Sequence, residues 1–286
     1  MRQLQISHVT EYRFPSPVTL LPHRLLLRPR EDHNVHIESS VLAISPKHSV
    51  QWKRDVLDNS VAVVKLTELS DVLRIASTVV IRHYDENPFD FLLDDHAVTH
   101  PFAYTEAERI ELTPFLQATY PSDQAAIRQW LQNLQLPAPM QTFALLDLLN
   151  REISNSFSYQ MREAPGVQSP AFTLTHRSGS CRDFAALLME TCRHLGLAVR
   201  FVSGYLFTWS TDSDNASTHA WIEAYLPGAG WKGFDPTIGE ITGDRHIAVA
   251  VARHPEAVPP VAGDYIGTPD QRPSLNVMVN VSTPKS

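Results

Sequence analysis

The sequence predicts an α+β protein in two parts: a β-rich first third, then a unit in which helices precede an antiparallel sheet. Three observations carry this reading. Residues 3–84 are a succession of short runs rich in β-branched and aromatic residues, broken by turn residues. Residues 85–122 lose the apolar period and carry Pro88, Pro101, Pro114 and Pro121, as a connector does. Beyond them come helical stretches and, after Gly196, strand-like runs again. We therefore expect a β-sandwich domain at 1–95, a connector at 96–122 and a second domain at 123–286.

Taken in order, the strand signals fall at Ile6–Phe14, Leu20–Arg28, Val35–Ile44, Val50–Val56, Val61–Leu66 and Leu73–Tyr84. Pro15 and Pro17, Pro29, Pro46 and Asp58-Asn59 stand in the breaks. In the last run Leu73, Ile75, Ser77, Val79 and Ile81 share one face, which is the pattern of a half-buried strand. Ser122 can cap a helix over Asp123–Leu134, and Met140–Ser154 is a second helical stretch. A loop bearing Pro165 and Pro170 leads through Thr173–Ser180 to a helix over Cys181–Leu195, closed by Gly196 where a left-handed cap is wanted. Strands are expected at Ala198–Phe207, His219–Leu226, Trp231–Asp235, His246–Arg253 and Leu275–Val281.

The chain has 286 residues, 43% of them hydrophobic, enough for two cores. Its formal charge of −7 and lack of a Lys/Arg run argue against a nucleic-acid partner. The first residues alternate polar and apolar where a secretory leader needs an unbroken apolar stretch, and no segment has the roughly 18 apolar residues of a membrane span. We expect a soluble cytoplasmic protein with no membrane partner.

Only Cys181 and Cys192 carry thiols. On one helix they lie roughly 16 Å apart, beyond the ~7 Å that a disulfide tolerates between Cα atoms. Residues 181, 184, 185, 188, 192 and 195 form an apolar stripe on that helix, which we expect to be its buried face. Cys181 heads the stripe at the helix N-terminus, a position that favours an anion by at most ~1–2 kcal/mol, so a reactive thiol there needs a cation besides. His219 is the obvious supplier. A hairpin through Pro227-Gly228-Ala229-Gly230 brings Asp235 back toward His219, but an ideal four-residue turn sets Asp235 opposite Ile222. A bulge or a longer loop must shift that register. Cys192, Trp221 and Trp231 are expected in the core.

Four ordered blocks carry a resemblance: Ser178-Gly179-Ser180-Cys181-Arg182-Asp183-Phe184-Ala185, Gly196 to Tyr205, His219-Ala220-Trp221-Ile222-Glu223, and Gly230-Trp231-Lys232-Gly233-Phe234-Asp235-Pro236-Thr237. They resemble the motifs of the transglutaminase-like superfamily. The first domain, with Pro22-His23-Arg24-Leu25 and Leu27-Arg28-Pro29-Arg30, is similar to the β domain of a bacterial branch of that superfamily. The resemblance implies a papain-like core, a cysteine enzyme making a thioester from an amide, nucleophile Cys181, base His219 and orienting residue Asp235. It implies a protein or peptide substrate and no cofactor. No tryptophan lies between Trp130 and Cys181, and Thr175, His176 and Arg177 stand where a papain-type glutamine would be. Tyr159 is our candidate for the side-chain half of the oxyanion hole.

Hydrolysis of a peptide or isopeptide bond is the leading expectation, with transamidation to an amine and a non-catalytic binding module as alternatives. A metal-dependent hydrolase is a further class, but the histidine spacing offers no set of ligands: His33 and His36 lie near a strand start, and His96 and His100 run into Pro101. Asp212-Ser213-Asp214-Asn215 begins like a calcium loop without the glycine and distal glutamate that one requires.

Overall fold

Alternation shapes the first third of the chain. In the computed structural model, which describes residues 1–84, 87–162, 164–208 and 218–284, this third forms β1 (Arg2–Leu20), β2 (His23–Leu25), β3 (Val35–Ser45), β4 (His48–Arg54), β5 (Ser60–Leu66) and β6 (Ser70–His83). β1, β6 and β3 make one antiparallel sheet, and β2, β5 and β4 another. Leu73, Ile75, Ser77, Val79 and Ile81 are all buried, as their shared face requires. Phe14, Val18, Leu25, Val64 and Ile75 fill a core between the sheets, completing a β-sandwich. β1 does not break at Pro15 and Pro17 as expected. It runs past them with a register shift between Arg13 and Val18, a bulge that accommodates two residues with no N–H to donate.

The expected connector contains a helix, α1 (Glu106–Leu116), with Pro114 inside it. Its apolar period is weak, but Thr105 and Glu108 form a capping box that starts it. β7 (Thr99–His100) pairs with β8 (Met140–Gln141) on either side of α2 (Gln124–Leu134), and α3 (Thr142–Ser156) follows. Ser122 does not cap α2: a single 3₁₀ turn, Pro121–Asp123, leads into it, and the Ser122 hydroxyl donates to Asp123 instead. α4 (Pro170–His176) occupies part of the expected loop, with Pro170 at its first position and Ser169 as its cap.

The second sheet system is antiparallel in the order β14 (Glu240–Ile241), β13 (Gly230–Asp235), β12 (Thr218–Leu226), β11 (Val199–Leu206), β15 (His246–Ala252). α5 (Cys181–His194) packs on it, with Phe184, Leu187 and Leu188 in one core with Phe201, Ala220, Ile222 and Leu226. The single buried stripe expected of α5 is too narrow a description. Every residue from Asp183 to Arg193 is buried, so α5 is enclosed on all sides.

The end of the chain departs from the expected 123–286 boundary. β16 (Val261–Ala262) pairs with β2, while β17 (Tyr265–Ile266) and β18 (Ser274–Ser282) pair with β1. Alternation identifies Leu275–Val281 as a strand but carries no information about which sheet it joins. The two halves are also joined through β15, the edge of the core sheet. Asn59, itself buried, donates to Val251 O and accepts from Val251 N, both at 2.8 Å, and Arg30 N donates to Ala248 O at 2.8 Å. These bonds cap an edge that would otherwise be open. Among the described residues, no helix is long and apolar enough to cross a membrane.

Candidate active site

Cys181 is the first residue of α5, and the groups before it are rigidly held. Asp183, fully buried, accepts through Oδ2 from Ser180 N (2.8 Å), Ser180 Oγ (2.8 Å) and Arg162 Nε (2.8 Å), and through Oδ1 from Gln168 N (2.8 Å). Burial opposes its charge, but the Arg162 guanidinium and the Gln168 and Ser180 bonds outweigh it and hold the carboxyl below its usual range. The helix start is thereby fixed, and the backbone N–H of Cys181 is one of the first-turn donors with no acceptor inside the helix.

The segment leading to Cys181 is clipped to Tyr159. β9 (Ser158–Tyr159) lies parallel to β10 (Ser178–Gly179), Ser158 N donates to Arg177 O and Gln160 N donates to Gly179 O, each at 2.8 Å. Tyr159 is 49% exposed, and its ring meets Phe184 edge-on at 6.4 Å. Partial burial and then the neighbouring Cys181 sulfur push its phenol up from 10.0. Tyr159 thus pairs with Gly179, two residues before the thiol.

His219 reaches the site from β12, where it pairs with Gly204 of β11. Gly204 sits at a register shift between β11 and β15, and a Cβ there would lie 2.3 Å from Ile247 O and 2.5 Å from the Trp221 ring, so only glycine fits. The hairpin register expected from sequence is off by one. Leu226 pairs with Gly230 and Ile222 with Phe234 without a bulge, leaving a three-residue turn, shorter than the ideal one rather than the longer loop expected, with Gly230 in the left-handed region at φ 72°. This shift resolves the difficulty with the ideal turn: Asp235 falls on the same sheet face as His219, as its diagonal neighbour.

The contact is short. His219 Nε2 lies 2.6 Å from Asp235 Oδ2, with both residues buried. Cys181 lies near enough to the ring to favour its protonated form, and the two side chains line one cleft. Burial alone would disfavour the imidazolium, but the bonds to Asp235 and Cys181 and their charges overcome it and push His219 up to about 10. Burial likewise opposes charge on Asp235, yet hydrogen bonds from His219 and His246 drive its carboxyl far below the ordinary range. Asp235 Oδ1 accepts from Thr237 N at 2.9 Å.

His246, the first residue of β15, was given no role by the sequence. Its Nε2 lies 3.1 Å from Asp235 Oδ2, while its Nδ1 accepts from Gly243 N at 3.3 Å. An accepting Nδ1 puts the ring proton on Nε2, so His246 donates to Asp235, and burial keeps it neutral by lowering its pKa. As one of thirteen histidines, at the start of an ordinary strand, it carries no local signal.

The expectation that no metal ligand set exists needs correction. His219, Asp235 and His246 each offer a ligand atom within 4.8 Å of the others, and they are the residues here that could hold a divalent ion. The two imidazole–carboxylate hydrogen bonds already satisfy these atoms, and an ion would have to displace them. Asp212 to Asn215 lie outside the described residues.

Cys181 and His219 open onto a cleft of ≈ 560 Å³. Residues 4–82 match the bacterial transglutaminase-like N-terminal region, and residues 128–236 match the transglutaminase-like superfamily core. The chain belongs to the transglutaminase-like superfamily. An uncharacterised Mycobacterium tuberculosis protein is 28% identical over 97% of this chain and 91% of its own length. The protein-glutamine gamma-glutamyltransferase of Pseudomonas aeruginosa is 32% identical, over 33% of this chain and 15% of its own. A Cytophaga hutchinsonii crystal structure, described as a candidate cysteine protease, superimposes with a TM-score of 0.73 at 19% identity, covering 99% of this chain and 91% of that one. The fold is thus that of transglutaminase-like cysteine enzymes.

Proposed function

We propose that the protein is a cysteine-dependent acyl-transfer enzyme that cleaves amide bonds in peptide or isopeptide substrates through a thioester on Cys181. The observation that carries this reading is that Cys181, at a helix N-terminus, lines one cleft with His219, whose Nε2 is held 2.6 Å from Asp235 Oδ2. His219, its pKa raised, has already taken the thiol proton when the sulfur attacks the carbonyl carbon. The backbone N–H of Cys181 and the Tyr159 hydroxyl donate to the oxygen that becomes negative. His219 gives its proton to the leaving nitrogen as the C–N bond breaks, leaving the thioester. Water then attacks the thioester carbonyl and delivers a proton through His219 to sulfur as the C–S bond breaks. Asp235 keeps one ring nitrogen of His219 engaged, so that the other faces the thiol throughout.

The test is to trap the acyl-enzyme. The protein is mixed with a peptide library and quenched in acid, and its intact mass is read with and without methylamine. A mass increment on the peptide containing residue 181 supports the reading, and its loss to water alone assigns hydrolysis. An increment transferred to methylamine in preference to water assigns transamidation. No adduct on Cys181 with any peptide, while iodoacetamide still labels it, contradicts the enzymatic reading.

A further inference from the structure

The cleft at Cys181 falls within the roughly 300–1,000 Å³ of sites that hold a small ligand. Beyond the two reacting side chains, much of its lining is apolar, supplied by Pro165, Val167, Phe201, Val258, Pro259 and Pro260. Among the described residues two charged side chains border it, Arg182 and Glu256, and each makes hydrogen bonds to neighbouring backbone. Arg182 Nη2 donates to the carbonyls of Arg162 and Ala164, and Glu256 Oε1 accepts from Val167 N at 3.3 Å. A charged group entering this space would lose hydration against a lining that is mostly apolar.

The wall at residues 255–260 is held from the other half of the molecule. Leu26 N donates to Pro260 O at 2.8 Å, the Arg24 guanidinium donates to Ala257 O, and the chain then continues into β16, which pairs with β2. The sandwich contributes no reacting group, yet its β2 segment positions one side of the cleft. During the thioester's lifetime the amine has left and the acyl group remains bonded to sulfur, so the space adjoining the sulfur is the space that the acyl group must occupy.

We propose that this cleft is an acyl-side subsite selective for an uncharged aliphatic or aromatic side chain, with its width set by the N-terminal sandwich through residues 255–260. The proposal rests on Cys181 being the nucleophile. It is tested on the full chain with four peptidyl chloromethyl ketones that differ only in the residue bearing the electrophile: leucine, phenylalanine, aspartate or lysine. The sulfur displaces chloride, and labelling of Cys181 is followed by intact mass and peptide mapping. Each rate is divided by that of iodoacetamide, which is too small to need the cleft. Leucine and phenylalanine probes should label at least about tenfold faster than the charged pair, the scale of a hydrophobic contact made or lost. Pro259→Asp should shrink that preference at least about fivefold, with a melting curve as the check on folding. Val258→Ala, which only removes methyl groups, should raise the phenylalanine rate relative to leucine. Equal rates for all four probes, with iodoacetamide still reacting at Cys181, overturn the subsite alone. Failure of iodoacetamide itself to label native Cys181 overturns the nucleophile and the subsite together.

Discussion

The first turn of α5 and the body of the same helix carry similar side chains in opposite circumstances. Cys181, partly exposed, meets the His219 ring and a cleft. Cys192, three turns on, is completely buried, and that burial pushes its thiol up to about 12. The carboxylates divide in the same way. Asp183 pins the loop before Cys181, whereas Glu190 and Arg193 form a fully buried ion pair at 2.8 Å. Arg193 donates to the carbonyls of Phe115, Val199 and Arg253, and Glu190 accepts from the N–H groups of Thr119 and Tyr120. That pair fastens the connector and the end of β15 to the helix and touches no cleft. The contrast teaches that the helix supplies the thiol and its position, while β12, β13 and β15 supply the histidines and the carboxylate that surround it.

The sharpest break in the comparison is replacement of each thiol in turn. Cys181→Ala should lower turnover at least about 10⁴-fold with no change in fold, as removal of a covalent nucleophile does. Cys192→Ala should leave turnover within about threefold and cost about 1 kcal/mol of stability, read by denaturant melts. Next comes Asp235→Asn, which should cost about 10³- to 10⁴-fold in turnover while the protein still melts cooperatively, because the imidazole loses its fixed tautomer. The same variant sets a pH signature. A histidine whose folded pKa is raised from 6.5 to about 10 contributes stability that is fully present below 6.5 and fades as pH rises toward 10. The stability gap between wild type and Asp235→Asn should narrow across that window, and the His219 ring protons should titrate at lower pH in the variant. A gap that widens toward pH 10 would contradict the assigned shift.

A smaller effect is expected at Tyr159. Deleting its hydroxyl in Tyr159→Phe should cost about 10²-fold, near the low end for one oxyanion donor, with the melting midpoint and the alkylation rate of Cys181 unchanged. Turnover within about threefold of wild type would remove it from that role. Smallest is His246→Gln, which deletes one hydrogen bond to the charged Asp235 and should lower kcat about tenfold, equivalent to about 1.4 kcal/mol. Because His246 acts through Asp235, KM should hold steady while the His219 titration shifts. A rise in KM alone would make His246 a cleft residue instead.

How much was legible in the sequence follows the range of the signals. The sandwich strands and α5 announce themselves locally, by alternation from Leu73 to Ile81 and by the thiol-headed stripe closed at Gly196, whose φ is 81°. Cys181, His219 and Asp235 were singled out by ordered motifs, and the structure brings all three together. Other features depend on long-range pairing. The return of β18 to β1, nearly the whole chain away, has no sequence marker, and neither does the contact of His246 with Asp235 across two intervening strands. The hairpin register turned on whether Gly230 belongs to the turn or to the strand, a choice of one residue that alternation alone leaves open. α1 is hidden for a different reason: its one local signal, the capping box at Thr105 and Glu108, stands beside Pro114 and a weak apolar period that read as a connector.

The central claim, that His219 activates one of two thiols on a single helix, is tested most directly by carbamidomethylation of the native protein at about pH 6, where an unassisted thiol is almost wholly protonated. Peptide mapping gives the rates of Cys181 and Cys192 in the same sample, in wild type and in His219→Ala. Cys181 should outrun Cys192 at least about tenfold in the wild type and slow at least about tenfold when His219 is removed, while Cys192 is unaffected. A Cys181 rate that is the same with and without His219 would contradict the account.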